Sequence, residues 1–210
     1  MLPCSTLFQR RPRASQVFKI RMSNASKRVR VLFDEATIAQ RNDELAAEIV
    51  AAKPDNLLVV AVLKGSFMFA ADLLRALHRA GLSPQVEFVH LSSYRTSTVS
   101  SGQVEILRDV QSEVRGRDVL LVDDILESGR TVVFAKDLLM ARGARRVLTA
   151  VLLEKPGKRA VTIEADFVGF TCPDVFVVGY GMDAAHAFRQ LPFVGLVDYE
   201  STDPDLFGGA

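Results

Sequence analysis

The stretch DVLLVDDILESGRTVVFAKDLLMARG, residues 118–143, decides how this chain folds. It opens on a short apolar run, Asp118–Val122. Runs of this kind form strands covered on both faces, as in a parallel sheet. Two acids follow at once, Asp123 and Asp124, and then a polar turn, Glu127-Ser128-Gly129-Arg130-Thr131. A helix is expected over Thr131–Arg142, stopped by Gly143. Gly129 lets the backbone turn sharply and approach a ligand. The amide hydrogens of the helix start, with the Ser128 and Thr131 hydroxyls, make a cradle for an anion. Paired carboxylates just before it can bond vicinal hydroxyls or hold a hydrated Mg²⁺. A phosphate, a diol and a metal within a few residues describe a ribose 5-phosphate. The stretch is neither the G-x-x-x-x-G-K-[ST] loop nor the G-x-G-x-x-G fingerprint.

Working outward, the same alternation repeats. Arg28–Phe33 reads as an edge strand, and Asp34 as the cap of a helix with Ile38, Leu45, Ile49 and Val50 on its apolar stripe. Leu57–Leu63 is a second continuously apolar strand, followed by a helix over Ser66–Ala80 that ends at Gly81. Further strands are expected at Gln85–Ser92, Arg146–Leu153, Phe167–Phe170 and Val175–Val178. Residues 93–103 are polar and read as a mobile loop or hairpin extension. Strands alternating with helices of about a dozen residues predict an α/β protein with a mostly parallel sheet flanked by helices. Ligands in such folds sit beyond the carboxyl ends of the strands. The turns after Leu57–Leu63 and Asp118–Val122 are therefore the first places to look for chemistry.

Composition narrows the function classes. At 210 residues, with 49% apolar and 24% charged residues, the chain suits one globular domain without a disulfide or metal staple. No apolar run approaches the ~20 residues of a membrane span. The two cysteines, Cys4 and Cys172, are too few for a zinc cluster and read as reduced thiols of a cytoplasmic protein. Residues 1–33 carry eight Lys/Arg and no acid; removing those eight from 26 leaves 18 basic against 25 acidic residues in 34–210. A mildly acidic body with no Trp argues against a nucleic-acid partner. Residues 1–26 read as a basic, disordered extension, and 27–210 as the functional domain.

VLLVDDILESGRT resembles the 5-phosphoribosyl diphosphate (PRPP) motif of the type I phosphoribosyltransferases. Three further motifs in the same order narrow the resemblance to the hypoxanthine and hypoxanthine-guanine members. Leu63-Lys64-Gly65-Ser66 is similar to their pyrophosphate loop, where a non-proline cis peptide before the glycine is typical. Ser93-Tyr94 begins a stretch that resembles their mobile loop. Leu153-Glu154-Lys155, FVVGYGMD at 176–183 and Arg189 resemble their purine end.

The resemblance implies the type I fold, with a central mostly parallel sheet and a small hood subdomain. It implies Mg²⁺-dependent transfer of the phosphoribosyl group from PRPP to N9 of a 6-oxopurine. Asp123, Asp124, Glu127, Ser128, Gly129, Arg130 and Thr131 would hold the ribose and its 5′-phosphate. Lys64, Gly65 and Arg189 would hold the pyrophosphate. Lys155 would donate to the purine 6-oxo oxygen, Phe176 would stack on the base, and Val177 and Asp183 would meet its edge. Asp183, Asp123 and Asp124 would serve the metal. The partners implied are PRPP and a 6-oxopurine, in a homodimer or homotetramer, with no nucleic acid and no membrane.

One position departs from the pattern. The family usually has aspartate as the presumed general base for the purine N7 proton, and here it is Glu127, one methylene longer. The expectation is that Glu127 still serves, though not optimally placed. The alternative is a PRPP- or nucleotide-binding regulator of the same fold without catalysis.

Overall fold

The computed structural model describes residues 17–22, 25–93 and 104–198. In chain order the elements are β1 (Val17–Met22), β2 (Ala25–Phe33), α1 (Glu35–Ala51), β3 (Leu58–Leu63), α2 (Phe67–Arg79), β4 (Gln85–Ser93), β5 (Val104–Arg108), β6 (Asp118–Leu126), α3 (Arg130–Ala141), β7 (Arg146–Glu154), β8 (Phe167–Thr171), β9 (Val177–Val178) and β10 (Val194–Asp198). A six-stranded sheet has the order β5-β4-β3-β6-β7-β8. Its strands β4, β3, β6, β7 and β8 are mutually parallel, and β5 closes one edge antiparallel to β4.

Side chains alternate across this sheet and fill two cores. Val59, Ala61, Leu120, Val122, Ala150 and Leu152 pack with Ile38, Leu45 and Ile49 of α1 and Phe69, Leu73 and Leu77 of α2. Leu58, Val60, Val119, Leu121 and Val151 pack on the opposite face with Val132, Ala135 and Leu139 of α3. Burial on both faces is why these strands read as continuous apolar runs. Truncating one fully buried leucine here, such as Leu121, would cost about 2–5 kcal/mol.

Local chemistry sets the helix ends. The Asp34 carboxylate accepts the Thr37 amide hydrogen at 2.8 Å and caps α1. Arg41 of α1 donates to the carbonyls of Val168 and Gly169 and ties the helix to β8. Ser66 does not cap α2; its hydroxyl donates back to the Val62 carbonyl at 2.5 Å, and the helix begins at Phe67.

A second, antiparallel sheet of order β1-β2-β10-β9 forms the hood. Here the structure departs from the expectation that Arg28–Phe33 is an edge strand. β2 is interior, paired with β1 on one side and β10 on the other. β10 was not legible as a strand because Gly195 interrupts it. That glycine is required by packing: a Cβ there would lie 2.5 Å from Val29 Cγ1. β1 also places Val17–Met22 in a strand, within the segment read as an unstructured extension. Val29, Val178, Phe188 and Phe193 form the hood's own small core.

Candidate active site

β3 and β6 are parallel neighbours, so the two loops that follow them sit side by side. β6 runs past the expected end at Val122 to Leu126, because β7 continues to pair with it as far as Glu154. Asp123 and Asp124 are therefore held in strand geometry rather than in a turn. A Cβ on Gly65 would fall 1.7 Å from Asp124 Oδ2, so the carboxylate lies directly over the Gly65 backbone. The peptide between Leu63 and Lys64 is cis. Gly181 presses on the same loop from the hood, since a Cβ there would meet the Gly65 carbonyl at 2.1 Å. Three sequence motifs thus meet at one point.

The paired acids are electrostatically uneasy. Burial, then the adjacent Asp124 charge, pushes the Asp123 carboxyl well above the ordinary aspartate range. Burial raises Asp124 as well, against hydrogen bonds from Asp123 and backbone amides and the nearby Arg189 charge. The pair titrates as a unit and holds a proton more readily than an isolated aspartate. Hydroxyl donors or a cation arriving beside it would favour the fully ionised pair.

After β6 the chain turns through Gly129, whose φ of +83° is left-handed and whose Cβ would collide with Ile163 at 2.4 Å. No side chain caps α3 in the manner of Asp34. The Ser128 hydroxyl approaches the Arg130 amide at 3.4 Å. The helix start, with Arg130 exposed and Thr131 half-buried beside it, presents amide hydrogens to an anion.

At the far side Lys155 is buried, its amide bonded to the Leu126 carbonyl at 3.0 Å. Its Nζ lies 3.7 Å from Glu127 Oε1, and Lys158 Nζ lies 3.6 Å from the same oxygen. Lys158 in turn pairs with Asp174 at 2.6 Å. Phe176 is 52% exposed, an unusual state for a large apolar ring and one that suits a stacking surface. Val177 is buried in β9. Arg189 donates to the Gly181 carbonyl at 2.7 Å and pairs with Asp183 at 2.7 Å. Lys64 is exposed at the end of β3. Ser93 ends β4, and Tyr94 lies outside the described residues.

Several supporting contacts carry no sequence signal. Arg159 donates to the carbonyls of Leu126 and Glu127, and Ala160 N–H to that of Ser128. Tyr180 is bonded to Asp72 and Asn42. Their partners are backbone atoms or residues more than a hundred positions away, which no local pattern encodes.

A parallel sheet with an antiparallel hood and ligand loops at adjacent strand ends is the architecture of the phosphoribosyltransferase class. The family model described as "Phosphoribosyl transferase domain" matches residues 30–185. The chain is 42% identical over 176 residues to the hypoxanthine-guanine phosphoribosyltransferase of Bacillus subtilis, covering 82% of this chain and 96% of that protein. It is 44% identical over 172 residues to the bifunctional protein TilS/HprT of Listeria innocua, covering 81% of this chain but spanning only 26% of that longer protein. A crystal structure of a hypoxanthine phosphoribosyltransferase from Staphylococcus aureus superposes with a TM-score of 0.75 at 37% identity, covering 80% of this chain and 90% of the other. The chain belongs to the phosphoribosyl transferase domain family, among its hypoxanthine phosphoribosyltransferases. No described helix is long and apolar enough to cross a membrane.

Proposed function

We propose that the chain transfers the 5-phosphoribosyl group of PRPP to N9 of hypoxanthine, and of guanine, releasing pyrophosphate and IMP or GMP for purine salvage. One observation carries the reading: a buried ammonium, Lys155, stands 3.7 Å from the carboxylate of Glu127, which opens the phosphate loop, while Phe176 leaves its ring exposed. A 6-oxopurine stacked on Phe176 would then offer its oxygen to the lysine and its N7 proton to the glutamate. Adenine would set its 6-amino donor against another donor, which selects against it.

The remaining roles follow from chemistry. Ser128, Gly129, Arg130 and Thr131 bind the 5′-phosphate at the start of α3. Asp123 and Asp124 accept from the ribose hydroxyls. Lys64, Gly65 and Arg189 receive the pyrophosphate, and Ser93-Tyr94 begins the loop that excludes water from the ribosyl cation. Val177 meets the base edge through its backbone. The donor set fits Mg²⁺, which takes one or two carboxylates plus phosphate oxygens and water rather than a closed protein cage. Among the described residues the three acids do not gather into one ligand cluster, so either Asp183 or the Asp123–Asp124 pair would hold it with the diphosphate oxygens, and its chemistry there would be to neutralise charge on the leaving pyrophosphate. As the ribosyl bond lengthens, Glu127 takes the N7 proton, Lys155 steadies the 6-oxygen, and Arg189 steadies the departing diphosphate. The transferring body is residues 27–210, with 1–26 an extension whose Val17–Met22 strand pairs onto the hood, and the enzyme works in the cytoplasm as a homodimer or homotetramer.

The test mixes the protein, PRPP and Mg²⁺ with hypoxanthine, guanine, xanthine or adenine in parallel and follows nucleotide formation. Rapid IMP formation with adenine inert is the expected result. The Glu127 substitution favours a second reading, a PRPP-binding regulator without catalysis. Silence with all four bases, alongside measurable PRPP binding, would establish that reading instead.

A further inference from the structure

We propose that Arg159 is a positioning residue that sets the distance between the Glu127 carboxylate and the Lys155 ammonium. The inference rests on the transfer reading above. Lys155 ends the chain's run beside β6, and the segment after it folds back beneath the phosphate loop. There Arg159 Nη1 donates to the carbonyls of Leu126 and Glu127, each at 2.7 Å, and more weakly to that of Lys155 at 3.3 Å. Nη2 donates to the Glu154 carboxylate at 2.6 Å, and Nε to the Ile163 carbonyl at 3.3 Å. One guanidinium therefore grips the peptide of the presumed base, the peptide of the purine-selecting lysine and the residue before that lysine.

The choice of arginine is chemically specific. Its planar fork presents five donors in fixed directions, whereas a lysine ammonium is a single movable point. The acceptors here surround that plane, and four are backbone carbonyls. Two further contacts brace the same seam. Ala160 N–H donates to the Ser128 carbonyl at 2.9 Å, and Ile163 fills the space that a side chain at Gly129 would need. Glu127 has one more rotatable bond than aspartate, so its carboxylate is placed only as well as its backbone is held. The hydrogen bonds of Arg159 run to the chain itself, and its effect passes through Glu127 and Lys155.

The test compares wild type, Arg159→Ala and Arg159→Lys in kcat and in the KM of each substrate, with Tm measured alongside. A merely structural arginine would lower the folded fraction, which reduces kcat and leaves both KM values unchanged. Positioning predicts otherwise. In Arg159→Ala, kcat/KM for hypoxanthine falls about 100-fold, the scale expected of a misplaced reacting group. The KM for hypoxanthine rises about tenfold, while that for PRPP moves less than about threefold. Millimolar guanidinium restores part of the loss. Should the alanine variant fail to fold, Arg159→Lys decides: a hypoxanthine KM equal to wild type overturns the proposal. Calorimetric IMP binding separates the two failures. An inactive wild type that binds IMP at least tenfold more tightly than Arg159→Lys would sink the transfer and keep the positioning role; equal IMP affinity would overturn the positioning role.

Discussion

Glu127 stands between two ammonium groups, Lys155 at 3.7 Å and Lys158 at 3.6 Å. On the proposed reading, a carboxylate so placed would orient Lys155 and take a proton from the purine, and the two roles separate by substitution. Glu127→Gln keeps the shape and the acceptor oxygen but cannot take the proton. It should lower kcat by about 10²–10⁴, the range of a general base. Glu127→Asp should retain or raise kcat, because it withdraws the carboxylate by one methylene toward the backbone that Arg159 grips. Steady-state kinetics on the two variants checks this; full activity in the Gln variant would remove Glu127 as the base. Lys155→Ala should cut kcat/KM for hypoxanthine by about 100-fold or more while PRPP affinity, read by calorimetry, stays near wild type. That asymmetry follows because a site built to bond a polar group discriminates steeply when the bond is lost. Equal losses in both would contradict the assigned role.

At the scale of elements, the site is held by contacts between α1, α2 and the hood. Gly179, Tyr180 and Gly181 form a run with φ of +93°, +49° and +101°, which brings Gly181 onto the Gly65 carbonyl. Two glycines accept such angles freely, but a tyrosine does so at a cost of order 1–3 kcal/mol. Its hydroxyl is what secures it, donating to Asp72 of α2 at 2.7 Å and accepting from Asn42 of α1 at 3.0 Å. Burial, with the Asp72 hydrogen bond and charge, pushes the phenol far above its usual range, so it stays a donor at any working pH. Asn42 Oδ1 already has no hydrogen-bond partner among the described residues. Tyr180→Phe would leave the buried Nδ2 unpaired too, and should destabilise the fold by about 1–3 kcal/mol. A Tm unchanged to within a degree in the Phe variant would contradict this. The strands β3, β6 and β7 and the helices α1, α2 and α3 were legible because burial on two faces and helix periodicity leave a local imprint. β10 was hidden by Gly195, and β5 by its place on an exposed edge, where Leu107 faces solvent. The motifs at Lys64-Gly65, Asp123-Asp124 and Gly181 stood in the sequence as residues but not as a cluster. Their meeting at Gly65 depends on strand order, and Arg159 depends on carbonyl directions in two separate loops.

Across the whole molecule, chemistry and scaffold occupy opposite ends of the sheet. The ligand loops follow the carboxyl ends of β3 and β6, while Asp118 begins β6 at the other end. Its side chain is fully buried and accepts from Arg145 Nε and Nη2, Arg146 Nη2 and the Asp55 amide. Those bonds tie the starts of β6 and β7 to the loop before β3. Burial alone would raise the carboxyl, but the hydrogen bonds from Arg145, Asp55 and Arg146 outweigh it and hold it below the ordinary value of 3.8. The sign follows from linkage. A carboxylate whose folded value is depressed contributes its full stabilisation above the unfolded value and loses it as pH falls through the folded one. Asp118→Asn should therefore destabilise the protein by roughly 2–3 kcal/mol at neutral pH, the scale of hydrogen bonds to a charged group. Below 3.8 the gap between variant and wild type should close progressively, as the wild-type carboxyl takes up its proton. Denaturant titrations of both proteins across that range measure the gap directly. A gap independent of pH would mean that shape rather than charge gives Asp118 its role. Because this cluster and the ligand loops share no side chain, kcat/KM of Asp118→Asn, measured well below its melting temperature, should match wild type. A loss there would show that the strand starts transmit strain along β6 to Asp123 and Asp124, since that strand is the continuous connection from one to the other.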